Sequence, residues 1–240
     1  MTEYALYLES GPKHKTTMVH VPVLLGCIAR GPTTEAALEA TPAAIRRYLR
    51  FLSRHGDELD PLAAFTIAVA EHITEGSWLG YGDPAPGFAP DFEPLNAREL
   101  AIHLRRLDWL QADLLDLIKP LTREQLAGQP EKGRSIQQIL EHVAESDGYY
   151  LRYLVGKVDG LSEALKAVQA GPAEALPALL FDLWGVSAAR LRTLTEAERT
   201  AQVPHGQVTW TAHRALRRML EHAWEHLLEI SERLGSAEAA

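Results

Sequence analysis

The sequence predicts two structural parts: a small α+β layer over residues 1–75 and an all-α, up-and-down bundle of four helices over residues 96–236. Three observations predict this fold. Apolar and polar residues alternate in short segments of the front part, as they do in strands. In the back part, apolar residues recur every three or four positions over longer segments, as in amphipathic helices. Between the two, residues 76–95 are rich in proline and glycine, which is typical of a linker.

The front part reads as three strands, a helix and a fourth strand. The helix begins with Thr33 or Thr34 as its N-cap and ends at Gly56. The four strand patterns cover residues 4–9, 16–23, 27–30 and 65–71. This β-β-β-α-β order predicts a single sheet with one helix packed against it.

The back part reads as four amphipathic helices, which must pack together to bury their apolar stripes. The first begins at the capping box Asn96–Glu99, and the second begins at the capping box Ser135–Gln138. The third spans roughly residues 173–194 and the fourth about residues 211–234. Two similar segments, Leu121-Thr-Arg-Glu-Gln and Leu194-Thr-Glu-Ala-Glu, end the first and third helices, and each is followed by a loop and then a histidine-bearing helix, which indicates two related hairpins.

The composition of the chain argues against some classes of function. The chain has 240 residues and a net charge of −8. Residues 1–95 contain 7 basic and 12 acidic residues, and the remainder contains 17 basic and 20 acidic residues. Neither part offers the basic surface that a phosphate backbone requires, so we expect no nucleic-acid partner. No window approaches the ~18 apolar residues of a membrane span, so we expect no membrane association. The single cysteine, Cys27, fits a reducing cytoplasm and excludes clusters of thiolate metal ligands.

Three histidines border the apolar stripes of the second and fourth helices. His222 and His226 are four residues apart, which places their Cβ atoms ~5 to 6 Å apart on one helix face. His142 holds the matching position on the second helix. If the two hairpins are related by approximate symmetry, the three imidazoles meet and bind one divalent ion with coordination positions left open. The alternative is that they are ordinary interior or surface histidines.

Other side chains on these helices have two interpretations each. Asp147 falls within an apolar stripe, where a carboxylate is costly unless it is paired. It either orients a ligand imidazole or lies at an exposed kink beside Gly148. Tyr149, Tyr150 and Trp210 either line a pocket above the metal or belong to the core.

The polar side of the fourth helix carries no obvious site. By helical periodicity its charged residues, Arg218, Glu221 and Glu225, face solvent. The segment Glu221-His-Ala-Trp-Glu-His226 does not match the zinc-peptidase motif. That motif needs a glutamate directly after its first histidine, and Ala223 occupies this position.

Residues 96–235 resemble the DinB superfamily. The stretch Arg134–Leu151 is similar to the second helix of that family, with a ligand at His142, and Thr209–Leu227 is similar to its fourth, with ligands at His222 and His226. The resemblance implies a metal-binding four-helix bundle whose ion is nickel, zinc or a similar divalent transition metal. Because the superfamily includes thiol-dependent transferases and isomerases, it also implies a low-molecular-weight thiol as a second cofactor.

Residues 1–75 resemble the HicB-like antitoxin domain. The resemblance lies in the strand that begins at Tyr4, the turn Val21–Cys27 and the helix start Gly31–Leu38. HicB proteins carry a DNA-binding module after this layer, whereas here the bundle takes its place. We therefore expect a sensing, docking or dimerising module, or a stabilising cap without a ligand.

Two functions follow from these patterns. The first is a metal-dependent enzyme of the DinB type, which activates a small thiol or water for transfer, isomerisation or hydrolysis on a small organic substrate. The alternative is a non-enzymatic, stress-associated or antitoxin-like binding module with a structural metal, whose front part binds a protein partner. Structural sites normally have four protein ligands, so three histidines favour the enzyme. Since bundles of this type often pair, we also expect a homodimer.

Overall fold

The structure, a computed structural model, describes residues 1–83 and 85–235, so the predicted end of the bundle at residue 236 lies outside the described residues. The front part contains a sheet and the back part is mainly helical, as predicted. Within the described residues, none of the helices has the length and apolar character needed to cross a bilayer.

The front part has the predicted β-β-β-α-β order. Its elements are β1 (Thr2–Ser10), β2 (Thr17–His20), β3 (Ile28–Gly31), α1 (Thr34–Arg54) and β4 (Phe65–Ile73). The strands lie in the order β3-β2-β1-β4, with β1 parallel to β4 and the other two pairings antiparallel. β2 is shorter than predicted because Pro22, which has no N–H to donate, opens a short 3-10 turn.

The back part contains the four predicted helices and several shorter elements. The four are α2 (Ala97–Ile118), α4 (Ile136–Val155), α6 (Leu176–Arg192) and α8 (Ala212–Arg233). Both predicted capping boxes, at Asn96 and Ser135, are confirmed. The helix α5 (Leu161–Ala170) and the hairpin of β5 (Val203–His205) and β6 (Val208–Trp210) were not predicted from the sequence.

The two similar sequence segments that begin at Leu121 and Leu194 fold into matching structures. Each folds as a single short helix, α3 (Arg123–Ala127) or α7 (Glu196–Thr200). Thr122 caps the first and Thr195 the second, and each closes a capping box with a residue three positions later. The similarity between the two segments therefore reflects the same capped short helix, which precedes each histidine-bearing helix.

Residues 76–95, predicted as a linker, pack into the fold. Leu79, Phe88 and Leu95 are buried, and Ala89–Phe92 forms a 3-10 turn beside α8. The buried apolar residues of the front and back parts form one continuous core. The boundary between two separable domains stays a prediction.

The charged side of α8 faces the front part rather than water. Arg218 and Glu221 are buried, so the prediction that they face solvent is wrong. The physical reason is that the sheet and the segment before α2 cover this side of the helix, which the periodicity of one helix cannot reveal. Glu225 remains partly exposed and pairs with Arg30, N to O 2.8 Å.

Ionisable side chains fill this covered face, and we call them the interface cluster. Its members are Glu9, His20, Asp91, Arg217, Arg218 and Glu221. Arg217 binds Asp91 at 2.7 Å and Glu221 at 3.0 Å, while the Nδ1 atom of His20 lies 2.8 Å from Glu221. Burial opposes the charge on Glu221, but His20 and Arg217 lower its pKa to about 2. The cluster therefore joins the sheet to α8 through compensated buried charges.

Candidate metal centre

Three imidazole nitrogens meet between α4 and α8. The Nε2 atom of His222 lies 3.2 Å from Nε2 of His142 and 3.1 Å from Nε2 of His226. Metal–nitrogen bonds of ~2.0 to 2.1 Å in a tetrahedral arrangement place neighbouring nitrogens ~3.3 to 3.4 Å apart. The structure thus brings together the three residues predicted as ligands: two of the three nitrogen pairs have nearly the spacing that a shared ion requires, and all three nitrogens lie within 4.8 Å of one another.

Helix geometry and packing produce this convergence. His222 and His226 lie one turn apart on α8, so their rings project from the same side. His142 projects from α4, which packs against α8. The spacing within α8 could be predicted from sequence, whereas the pairing with α4 depends on how the bundle closes.

The environment of the histidines keeps two of them neutral. Burial lowers the pKa of His142, and the Arg134 charge lowers it further. Burial also lowers the pKa of His222 well below its ordinary value, and His226 adds to the effect. A neutral imidazole presents a nitrogen lone pair, which is the form that binds a metal. Three mutually facing ring nitrogens therefore fit a cation better than they fit hydrogen bonds to one another.

Glu229 lies behind the third histidine. Its Oε2 atom is 2.8 Å from Nδ1 of His226, a contact that holds the ring proton on Nδ1 and leaves Nε2 free. This hydrogen bond to His226 lowers the pKa of Glu229, and Arg233 also contacts the carboxylate. Glu229 was not among the residues predicted from the sequence, although its position three residues after His226 places both on one helix face.

A cavity of about 680 Å³ opens over the three histidines. Tyr149 and Tyr150, two of the predicted pocket residues, line it. Trp210 lies behind this wall and stacks on Tyr150 with ring centroids 5.4 Å apart. Part of the wall comes from the segment predicted as a linker, since Trp78, Tyr81, Gly82 and Asp83 also line the cavity. Sequence reasoning missed this contribution because it treated these residues as a linker.

The burial of Asp147 excludes one of the two interpretations given for it from the sequence. Asp147 is buried, so an exposed kink at this position is wrong. It lies five residues after His142, which turns it toward another side of α4, and it neighbours Trp184 of α6. Burial raises the pKa of Asp147 to about 8, and the Trp184 indole offsets only part of the increase. The carboxyl is therefore largely protonated at neutral pH.

Comparison with family models agrees with this geometry in the helical part. Residues 106–230 match the family model of the DinB superfamily, a range that contains all three histidines. No curated protein matches the chain. One similar solved structure is that of YfiT from Bacillus subtilis, described as "a probable metal-dependent hydrolase with an unusual four-helix bundle topology". It shares 25% sequence identity with this chain, covers 60% of this chain and 91% of its own, and superposes with a TM-score of 0.46.

Proposed function

This chain belongs to the DinB superfamily, and from that membership we propose that it is a metal-dependent enzyme whose ion is bound by His142, His222 and His226. The observation that carries the proposal is the convergence of three Nε2 atoms beneath an open cavity. Imidazole donors suit nickel and zinc among other divalent transition metals, and we propose that the ion is one of these two.

The chemistry follows from the donor set. A divalent ion bound by three imidazoles lowers the pKa of a water or thiol in its remaining position. The protein supports this by keeping His142 and His222 neutral through burial and by fixing the His226 ring with Glu229. The cavity has the size of a small-molecule site. We propose transfer, isomerisation or hydrolysis of a small organic substrate, with a low-molecular-weight thiol or water as the activated group.

Elemental analysis tests the metal directly. Tag-free protein purified without chelators should contain about one divalent ion per chain. His226→Ala should contain far less, and it should not recover the ion on titration with zinc or nickel. His205→Ala, an exposed histidine in the β5–β6 hairpin, provides the matched control and should retain the metal. If folded wild-type protein neither carries an ion nor binds one on titration, the proposal is lost.

The reaction type requires a separate screen. Candidate thiols should be tested with reactive electrophiles, and simple esters and amides should be tested for hydrolysis. We expect turnover with one of these groups by the wild-type protein and none by His226→Ala. Circular dichroism of both proteins would show whether a lost activity reflects the site or the fold.

For the front part we propose a HicB-like docking or dimerising module. The β-β-β-α-β order and the resemblance of Val21–Cys27 and Gly31–Leu38 support it. Sedimentation analysis would test the proposed homodimer, which should have twice the mass of the chain over a range of protein concentrations. A monomer at every concentration would contradict it.

A further inference from the structure

We propose that the substrate of this site carries an aromatic ring and that Trp78 and Tyr81, in the segment between β4 and α2, together with Tyr149 of α4, bind that ring. The inference rests on the proposed function, because the three aromatic side chains line the same cavity as the histidines. We call Trp78–Asp83 the rim segment.

The rim segment is held firmly beside the metal centre. Leu79 is buried, and the backbone at Gly80 lies so close to Thr16 that a Cβ atom there would be 2.3 Å from the Thr16 carbonyl oxygen. The Gly82 carbonyl accepts a hydrogen bond from Arg218 of α8. Since Arg218 lies one turn before His222, the front part fixes the rim relative to the ligand-bearing helix.

The aromatic rings of the rim are exposed despite this firm anchoring. Trp78 is 73% exposed and Tyr81 is 64% exposed, while Tyr149 across the cavity is 44% exposed. Trp78 also has a φ of 60°, a left-handed conformation that is strained for a tryptophan. Several large exposed rings around one concave site are typical of a surface that binds a ligand.

The charged groups around the cavity nearly balance one another. Asp83, Glu145 and Glu225 line it together with Arg134, and Glu225 is paired with Arg30, N to O 2.8 Å. A bound divalent ion would add two positive charges. The expected substrate is therefore defined by its ring, as an aromatic molecule whose polar group reaches the metal.

Two small hydroxamic acids with the same metal-binding group test the inference. Zinc-loaded, full-length protein should be titrated with benzohydroxamic acid and with acetohydroxamic acid, and the affinity of each should be measured by calorimetry. Benzohydroxamic acid should bind about tenfold tighter in the wild type. Trp78→Ala and Tyr81→Ala should each weaken its binding by about three- to tenfold and leave acetohydroxamic acid unchanged.

Three further variants make the result specific. Trp78→Phe should restore most of the affinity for benzohydroxamic acid, whereas Trp78→Leu should not, because only the former keeps a ring. Phe181→Ala removes an exposed aromatic side chain of α6 outside this cavity and should change neither affinity.

The outcomes separate the two proposals. If acetohydroxamic acid binds and the benzo compound binds no tighter, or if Trp78→Ala and Tyr81→Ala leave the benzo affinity unchanged, the aromatic substrate is excluded and the metal site stands. If neither compound binds to protein that carries zinc, this inference fails and the metal site stands; if the protein takes up no zinc, both proposals fail.

Discussion

Among the three histidines, His226 has a carboxylate behind it, 2.8 Å from its Nδ1 atom. That contact selects the ring tautomer and restricts its rotation, so Nε2 stays directed at the shared point. The arrangement gives Glu229 a role in metal affinity although it is not a ligand.

Glu229→Ala should lower the affinity for zinc by about 10- to 100-fold, because the His226 ring loses its fixed orientation and part of its basicity. Competition with a chromophoric chelator would measure this change. Glu232→Ala is the matched control, since that glutamate is exposed on the same helix and should leave the affinity unchanged. Equal affinities for the two variants would show that Glu229 does not orient the ligand.

Asp147→Asn should alter the pH dependence of stability. The folded protein keeps the Asp147 proton up to a pKa of about 8, whereas an unfolded chain releases it near 3.8. Folded protein therefore binds the extra proton in this window, so this group makes the wild type progressively less stable as pH rises from about 4 to about 8. Asp147→Asn has no ionisable group at this position and does not lose this stability as pH rises.

The expected difference in stability between Asp147→Asn and the wild type follows from the raised pKa of Asp147. The free energy of unfolding of Asp147→Asn relative to wild type should increase with pH by at most about 1.4 kcal/mol per unit across this range. Urea unfolding at several pH values would measure it. A difference that does not vary with pH would show that the Asp147 pKa is not raised.

Residue types and spacing determined how much of the site could be predicted. His222 and His226 share a helix face, so their pairing follows from local geometry. His142 and the two tyrosines lie on α4, and their position depends on the packing of the bundle. The apolar stripe around Asp147 is a local signal of its burial, whereas the approach of Trp78 depends on contacts between distant segments, which carry no local signal.

At the scale of elements, α1 meets the turn before β3 through a close contact. The Tyr48 hydroxyl donates to the Leu25 carbonyl at 2.6 Å, and its ring packs on Trp224 of α8 with centroids 5.1 Å apart. The adjacent Gly26 has a φ of +107°, and a Cβ atom there would lie 2.3 Å from the Tyr48 hydroxyl. The glycine thus allows a helix of the front part to reach α8.

Gly26→Ala should therefore destabilise the fold more than a glycine substitution in open space. Gly56→Ala is the comparison, because Gly56 also has a positive φ but a Cβ atom added there would meet no other atom within 4 Å. Both variants should lose stability to backbone strain, and Gly26→Ala should lose a further ~1 to 3 kcal/mol from overpacking. Chemical denaturation would measure both, and equal losses would contradict the steric argument.

Local patterns predicted the long elements well. Caps and apolar periodicity located α1, α2, α4 and α8 to within a few residues. The hairpin of β5 and β6 was missed because three-residue strands are too short to show periodicity. α5 was missed although Leu161, Leu165 and Val168 form an apolar stripe.

At the scale of the whole molecule, the interface cluster makes the front and back parts depend on each other. Arg217 bridges Asp91 and Glu221, all three of them buried. Removal of the guanidinium would leave the Asp91 carboxylate without its ion-pair partner in an interior that disfavours charge, while Glu221 would keep only His20 and Arg218.

Arg217→Met should accordingly destabilise the protein by about 3 to 5 kcal/mol. Arg105→Met, an exposed arginine over the Trp109 ring, should cost about 1 kcal/mol or less. Thermal or urea unfolding of the two variants would make the comparison. A loss for Arg217→Met no larger than that for Arg105→Met would show that the cluster contributes little.

The two-part organisation was predicted from the change in periodicity, and the sheet and the helices are confirmed. The contact between the parts was not predicted. A charged helix face looks the same in sequence whether water or a second layer of buried charges covers it, and only the partners His20 and Asp91, far away in the chain, distinguish the two.

The contact between His20 and Glu221 also affects how the protein can be synthesised, because 201 positions separate the two residues. At ~5 to 20 residues per second, the ribosome needs about 10 to 40 seconds to deliver Glu221 after His20 has been made. During that interval the sheet has no α8 to cover its polar residues. The nascent front part therefore waits, incomplete, until almost the entire chain has been translated.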